Sequence, residues 1–312
     1  MTIEVLKPGL QTTVQDKGRY GLQQYGVIVS GAMDTISYQI GNLLLQQEDY
    51  ASLEMTLLGP TLKFHCDTTI AITGGSMAPL LNGVPCPMWR AVMVKCGDVL
   101  KFSSAQKGVR SYLAVKGGIQ VEHVLNSKST YLKARIGGHH GRALKSGDRL
   151  PISEWSTTAP STTIDVTNFK LFENDVTIRV LKGTEYESFT EKSLSLFEEA
   201  TYTISKDADR MGYRLESDAI LHLQQPTNML SEAVTIGTVQ VPPSGQPIIL
   251  MADRQTTGGY PKIAQVASVD LSKLAQLPPY AKIRFKLISL DEAQQLWIKQ
   301  QKHLNLLALL LN

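Results

Sequence analysis

The chain has 312 residues, of which 43% are hydrophobic and 19% are charged, and its formal net charge is +3. This length allows two domains, and the composition is that of an ordinary globular protein. The weak positive charge, with no run of Lys and Arg, argues against nucleic acid as a partner. The longest apolar tract, residues 306–311, is far shorter than the roughly 20 residues that span a bilayer, so a membrane is not expected as a partner either.

The three cysteines predict a reducing compartment. Cys66, Cys86 and Cys96 are widely spaced and odd in number, which fits free thiols better than a disulfide framework. The N-terminus enters a strand pattern without a basic and then apolar leader, so we expect a cytoplasmic location. No metal site is expected, because His139 and His140 would point to opposite faces if they lay on a strand.

Short β-like segments separated by glycine-rich turns dominate the first half. Residues 70–73 lead to a Gly-Gly pair at 74–75, and residues 111–115 end near Gly117. The Asn-Gly pair at 82–83 is the strongest two-residue hairpin signal in the chain. Many short strands of this kind predict a barrel or sandwich rather than a doubly wound parallel sheet.

Three helices are expected. The first covers residues 37–45 and the second residues 187–199. The last has the clearest start, since Ser289 followed by Glu292 forms a capping box, and its pattern continues past Leu304. We expect its terminal leucines to pack on the body of the protein or on a partner chain.

A Ser/Thr/Pro-rich stretch near residues 153–163 lacks apolar periodicity and predicts a linker. The expected organisation is a subdomain at 1–155, a linker at 156–170, a second subdomain at 171–290 and a C-terminal helix at 291–312. Residues 16–20 and 209–213 share an Asp, basic residues, a Gly and a Tyr. The two halves are therefore either distant copies of one fold or similar there by chance.

The polar segment at residues 251–262 lies between two apolar runs. Arg254 offers a planar fork of donors suited to a carboxylate or phosphate, and Asp253 can orient that fork. Gly258 and Gly259 allow positive φ, so the backbone can bend sharply or approach a ligand closely. Such a loop indicates either a site for a small polar anion or amide, or a well-satisfied structural turn.

Three further polar segments cover residues 12–19, 30–34 and 205–214. The adjacent charges in these segments and in the 251–262 loop form either structural ion pairs or anion sites. By residue type, Asp34 and Lys262 are the best candidates for a general base. The hydroxyls at residues 127–130 indicate either an anion site or capping and turn residues. The common phosphate-loop, nucleophile-elbow and zinc-helix motifs do not occur.

Longer motifs carry a family resemblance. The sequences at residues 11–19, 30–34, 129–131, 209–215 and 252–263 closely resemble the family of the bacterial 5-oxoprolinase C subunit, also described as KipA-like or as the second subunit of allophanate hydrolase. They also resemble part of the carboxyltransferase region of urea carboxylase. The resemblance implies a mainly β protein with two β-barrel-like subdomains of cyclophilin-like fold, a few short helices and a C-terminal helix.

The same resemblance implies an activity shared among several proteins. Together with a KipI-like B subunit and an A subunit of 5-oxoprolinase, such a protein hydrolyses the lactam of 5-oxoproline, a small amide substrate, to glutamate. ATP is the implied cofactor, with Mg²⁺ and shared with the partner. Asp34 and Lys262 are then expected to be catalytic. The expected substrate-binding residues are Arg210, Arg214, Arg254, Thr256, Thr257 and Tyr260, and Asp16, Arg19 and Asp253 are further candidates.

Two other functions remain open. Carboxyl transfer from carboxybiotin, as in urea carboxylase, would need a separate carrier, because the chain has no biotin-attachment segment. A regulator that antagonises a KipI-like kinase inhibitor would share the partner but have no reaction of its own. The dense polar loops favour a small-molecule site over a pure interaction surface, which more often shows aromatic anchors.

Overall fold

The computed structural model describes residues 1–153, 164–165, 169, 171–172, 176–225 and 229–311. It is mainly β, with 34% strand and 19% helix, so the expected fold class is confirmed. The chain divides into two compact units. One comprises Met1–Arg19, Ser30–Phe172 and Lys302–Asn312, and the other Tyr20–Val29 and Glu173–Gln301. The expected linker at 156–170 lies largely outside the described residues.

The first unit contains two antiparallel sheets. One has the order β11-β1-β4-β9-β6-β7, and the other the order β2-β3-β10-β5-β8. The strands are β1 Thr2–Lys7, β2 Gln11–Gln15, β3 Ser52–Thr56, β4 Thr61–Phe64, β5 Thr68–Ser76, β6 Leu80–Leu81, β7 Val84–Pro85, β8 Ala91–Val94, β9 Val99–Lys101, β10 Lys107–Val115 and β11 Arg149–Pro151.

One hydrophobic core joins these two sheets. Ile3 and Val5 of β1 alternate with more exposed neighbours, as expected for a strand buried on one face. They belong to the same buried cluster as Leu53 of β3 and Leu113 of β10, which lie in the other sheet. The sheets are therefore held together by apolar packing between their inner faces.

Two glycine signals in this unit had different outcomes. The hairpin at residues 82–83 is confirmed, because β6 pairs with β7 and both Asn82 and Gly83 have positive φ. The Gly-Gly pair at 74–75 does not end its strand, since β5 continues through it to Ser76. The pairing of β5 with β10 shifts register here, and a Cβ on Gly74 would lie 2.5 Å from the carbonyl oxygen of Arg110. Gly74 therefore marks a β-bulge rather than a turn.

The second unit is built on a closed seven-stranded barrel of order β12-β19-β16-β17-β14-β13-β20, completed by a parallel pairing of β12 with β20. A separate short ribbon pairs β15 with β18. The two units thus differ in strand arrangement, so their topologies do not support two copies of one fold. The strands are β12 Val176–Lys182, β13 Tyr202–Ile204, β14 Gly212–Glu216, β15 Glu232–Ala233, β16 Thr238–Gln240, β17 Ile248–Leu250, β18 Thr257–Gly258, β19 Lys262–Val266 and β20 Lys282–Leu287.

The helices are α1 Thr35–Leu44, α2 Glu191–Glu199, α3 Ser268–Ala275 and α4 Leu290–Leu311. Helix α2 begins later than expected because Thr190 caps it by accepting a hydrogen bond from the Ser193 amide. Helix α3 was not expected from the sequence, because the buried charged side chains Asp270 and Lys273 interrupt its apolar pattern.

Helix α4 begins where the capping signal placed it. The Oγ of Ser289 accepts a hydrogen bond from the Glu292 amide at 3.1 Å. Leu304 and Leu311 are buried in a cluster with residues of α1, whereas Leu309 is 75% exposed, so only part of the leucine-rich end packs on its own unit. None of the helices in the described part of the chain combines the length and the apolarity required to cross a membrane.

Candidate functional site

The expected site residues fall into both units. Asp16, Arg19 and Asp34 lie in the first unit, and the others lie in the second.

Asp34 is the N-cap of α1. Its carboxylate accepts hydrogen bonds from the Ser37 amide at 3.0 Å and the Ser37 hydroxyl at 2.5 Å, and the residue is fully buried. A capping carboxylate at a helix N-terminus has a structural role that accounts for its position. Asp34 therefore has a structural role as a helix cap, and its expected role as a general acid or base stays a prediction.

Asp16 lies at the centre of a buried polar cluster, which we define as Asp16, Arg19, Ser127, Lys128 and Ser129. Its Oδ1 accepts hydrogen bonds from the Ser127 and Ser129 hydroxyls, and its Oδ2 accepts one from the Lys128 amide at 2.5 Å. The sequence left open whether the hydroxyls at residues 127–130 form an anion site or cap a turn. In the structure, the hydroxyls of Ser127 and Ser129 bond to Asp16, which is a carboxylate of the chain itself. Asp16 positions these loops and is not available to a substrate.

Arg19 is also part of this cluster and is fully buried. Its Nε donates to the Val124 carbonyl at 3.1 Å, and its Nη2 donates to the Ser129 carbonyl. Through these two bonds the guanidinium fixes the backbone of the 124–129 segment. These bonds give Arg19 a structural role, and its candidate role at the substrate stays a prediction.

In the second unit, Arg210 and Asp253 form a buried bidentate ion pair. The Nε···Oδ2 distance is 3.0 Å and the Nη2···Oδ1 distance is 2.9 Å, with both side chains only 6% exposed. This pairing joins the 205–214 and 251–262 segments. It engages two nitrogens of the Arg210 fork and so gives Arg210 a structural role, while its expected substrate contact stays a prediction. Arg214 lies on β14 and is exposed.

Arg254 is different from its neighbours. Its Nε is buried without a hydrogen-bond acceptor in the described structure, and its Nη1 lies 3.5 Å from the Met251 carbonyl oxygen. Burial lowers the pKa of the Arg254 guanidinium, and the nearby Tyr20 opposes this shift. An arginine nevertheless stays protonated in proteins, so this is a partly desolvated cation with an unused donor. That Arg254 holds an anion stays a prediction, and the unpartnered Nε is consistent with it.

The rest of the loop is tied to neighbouring strands. The Thr256 carbonyl accepts from the Val234 amide, and Thr257 begins the short strand β18. Gly258 does not have positive φ, contrary to expectation. Its small size is used instead, since a Cβ there would lie 2.5 Å from Gln240 Nε2. Tyr260 is 44% exposed and contacts Gln240 through its carbonyl.

Lys262 is held between two carboxylates. Its Nζ lies 2.8 Å from Glu232 Oε2 and 3.3 Å from Glu185 Oε2. Burial acts to lower the pKa of Lys262, but the hydrogen bond to Glu232 and the interactions with Glu185 raise it on balance. A general base must be unprotonated at working pH, and this geometry favours the protonated form of Lys262; its expected catalytic role stays a prediction.

An apolar cleft of about 670 Å³ lies beside the 251–262 loop. Tyr260 brings a phenol to it and His222 an imidazole; sequence reasoning did not single out His222. Glu185, Glu232 and Tyr20 were also missed, because their proximity to Lys262 and Arg254 depends on distant parts of the chain. The cleft is lined by Phe189, Leu221, His222, Leu223, Met229, Val241, Pro242, Pro243, Gly259, Tyr260 and Pro261.

The fold and these loops agree with a known family. Residues 25–287 match the family model described as carboxyltransferase domain, subdomain A and B. The chain therefore belongs to this carboxyltransferase-domain family. The structure of Kluyveromyces lactis urea carboxylase superposes with a TM-score of 0.90 at 31% identity, over 98% of this chain but 29% of that one.

Two curated relatives match over nearly their whole length. The 5-oxoprolinase C subunit of Haemophilus influenzae is 41% identical over 304 residues, covering 97% of this chain and 96% of the relative. The 5-oxoprolinase C subunit of Escherichia coli is 41% identical over 308 residues, covering 98% and 97%. The expected resemblance to the C subunit of 5-oxoprolinase is confirmed.

Proposed function

We propose that this chain is the C subunit of an ATP-dependent 5-oxoprolinase, acting with an A subunit and a KipI-like B subunit. The observation that supports this most strongly is the 41% identity to two proteins named as 5-oxoprolinase C subunits, with at least 96% of each relative covered. Coverage of this extent distinguishes them from urea carboxylase, of which the chain matches only a part.

The proposed reaction explains why ATP is needed. Phosphoryl transfer from ATP to the lactam carbonyl oxygen gives an activated carbon and ADP. Water then adds to that carbon, the ring C–N bond breaks, and inorganic phosphate and glutamate are released. Catalysis of phosphoryl transfer depends mainly on positioning and on cations near the developing charge. We propose that ATP binds with Mg²⁺ and is shared with the KipI-like partner. The three free thiols fit the proposed cytoplasmic location.

Arg254 is the residue of this chain that we assign to the substrate carboxylate. A carboxylate supplies two acceptors in the geometry of a guanidinium fork. Arg254 carries a buried Nε that no described acceptor uses, so a bound carboxylate would complete its hydrogen bonding and offset the cost of its burial. The adjacent Tyr20, Thr256 and Thr257 bring further hydroxyls to the same unit.

The test is glutamate release from 5-oxoproline and ATP by the three proteins together, with each one omitted in turn. We expect activity only when all three are present. Arg254→Ala should lower kcat/KM by about 10- to 100-fold, the effect of losing one charged hydrogen-bonding group. Arg254→Lys should recover part of this loss, since it restores the charge but not the fork.

Arg284→Ala is the matched control, because Arg284 is an exposed arginine of the barrel strand β20. Its activity should equal that of the unmodified complex. A complex that assembles fully but releases no glutamate would rule out the proposed function. Equal activity of the Arg254 and Arg284 variants would remove Arg254 from the site.

Carboxyl transfer is a second candidate, favoured by the match to the carboxyltransferase family model and by the superposition on urea carboxylase. It predicts that a biotinylated carrier protein co-purifies with the complex and that ¹⁴C-carboxybiotin is consumed. If the complex binds neither ATP nor 5-oxoproline and no carrier is found, a regulatory role as antagonist of a KipI-like inhibitor becomes the better account.

A further inference from the structure

A second cavity lies in the first unit, and the proposed function makes no use of it. Its volume is about 580 Å³, within the range of small-molecule sites. One wall is the loop that contains Arg135 and residues 137–141, and Glu122 and Arg149 also line it. The sequence indicated no role for this loop. It indicated only that His139 and His140 could not share a metal ion if they lay on a strand. The loop is a turn, and their rings lie 4.2 Å apart.

The backbone of this loop is unusual. Arg135, Gly137, Gly138, His140 and Gly141 all have positive φ, between 56° and 66°. Backbone turns of this kind gather N–H groups into concave anion sites. The Gly138 and Gly141 amides bond to carbonyls, whereas those of Gly137, His139 and His140 donate to no acceptor in the described part of the chain.

The loop is also held firmly in place. A Cβ on Gly137 would collide with the Ser129 carbonyl, and one on Gly138 would collide with the Thr130 hydroxyl. These contacts attach the loop to the buried cluster around Asp16. Its unused amides therefore have fixed positions and need little reorganisation to bind a ligand.

The side chains that line the cavity give it a positive charge. Arg135 and Arg149 bring two guanidiniums against the single lining carboxylate of Glu122. Nearby charges do not reverse this balance. Asp148 is paired with Arg142 at 2.7 Å and lies 3.5 Å from His139, and Glu4 is the cross-strand partner of Arg149.

We propose that this cavity binds the phosphate groups of a small molecule. A tetrahedral phosphate offers several terminal oxygens, which suit the unused amides of a turn that lines the cavity together with the guanidiniums of Arg135 and Arg149. A carboxylate has only two oxygens in one plane and would leave some of these donors unused. The volume exceeds that of a single phosphate ion and fits a diphosphate or triphosphate. The identification of the ligand as ATP rests on the proposed function, whereas the proposal of an anion site does not depend on that function.

The test is calorimetric titration of the full chain with pyrophosphate and, separately, with MgATP. Both probes should bind, and Arg135→Gln should raise Kd about tenfold, the lower end expected for one exposed charged hydrogen-bonding group. Lys133→Gln removes the same charge from the same loop, but Lys133 does not line the cavity, so its Kd should be unchanged. Circular dichroism and thermal melting will show whether each variant is folded, and Arg149→Gln provides a second variant for the same measurement.

Three results would overturn the proposal. One is the absence of heat from either probe at millimolar concentration. Another is an equal increase in Kd for Arg135→Gln and Lys133→Gln, which would indicate a general charge effect. The third is glutamate binding as tightly as pyrophosphate with the same dependence on Arg135. Glutamate release by the three-protein complex is measured separately, so loss of the proposed function with retained pyrophosphate binding leaves the anion site standing.

Discussion

Two polar regions of this protein differ in whether their buried charged groups find hydrogen-bond partners within the chain. In the cluster around Asp16, both carboxylate oxygens accept hydrogen bonds from hydroxyls and amides of the chain itself. In the 251–262 loop, Arg210 and Asp253 satisfy one another, yet the next residue, Arg254, keeps a buried Nε without an acceptor in the described structure. A well-satisfied network stabilises a fold, whereas an unmet donor beside it is available to a ligand.

The similarity between these regions is local. Asp16 Oδ1 accepts from the Gly18 amide at 2.8 Å, and Asp209 Oδ1 accepts from the Met211 amide at 2.7 Å, so each Asp closes a turn to the residue two positions on. This accounts for the Asp that the two halves of the sequence share. The surrounding sheets differ, so a common turn does not imply a common fold.

The largest effect on stability is expected for Asp253→Asn. The substitution keeps the shape but removes the charge opposite Arg210 and leaves a buried guanidinium uncompensated, at a cost of about 3–5 kcal/mol in the free energy of unfolding. Urea denaturation measures it. Asp207→Asn, an exposed position in the neighbouring segment, should change the free energy by less than about 0.5 kcal/mol. Similar values for both variants would mean that the pair does not hold the two loops together.

Asp16→Asn tests the other region. One oxygen becomes an amide that faces the Lys128 amide, donor against donor, and the remaining hydrogen bonds lose their charge, so we expect a loss of about 3 kcal/mol. Asp49→Asn makes the same change at an exposed ion pair with Lys17 and should cost less than about 1 kcal/mol. If Asp16→Asn left the denaturation curve unaltered, the cluster would not be the stabilising network described above.

Much of the fold could be predicted from the sequence, because its signals are local. The Asn-Gly pair at 82–83, the cap at Ser289 and the alternation in β1 each depend on neighbouring residues. The features that were missed depend on distant ones. Whether Gly74 forms a bulge or a turn is decided by the approach of Arg110, and α3 is hidden by the buried Asp270, whose partner Arg179 lies 91 residues away.

The candidate site was harder to predict for the same reason. Residue type drew attention to the loop at 251–262, but it could not separate Arg210 from Arg254. Their difference lies in which one faces Asp253, a contact across 43 residues of sequence. The ion pairs of Lys262 could not be predicted either, because Glu185 and Glu232 come from other segments.

The smallest effect on stability is expected for Arg254→Ala, which contrasts directly with Asp253→Asn one residue away. Arg254 has no strong hydrogen bond to lose, and removal of a partly desolvated cation offsets the packing lost with its apolar stem. We expect the free energy of unfolding to change by less than about 1 kcal/mol in either direction, with glutamate release by the assembled complex strongly reduced. A loss as large as that of Asp253→Asn would show that Arg254 has a structural partner. Replacing an arginine that binds a ligand lowers activity but not stability, whereas replacing an arginine that supports the fold lowers both. Stability and activity must therefore be determined on the same preparation.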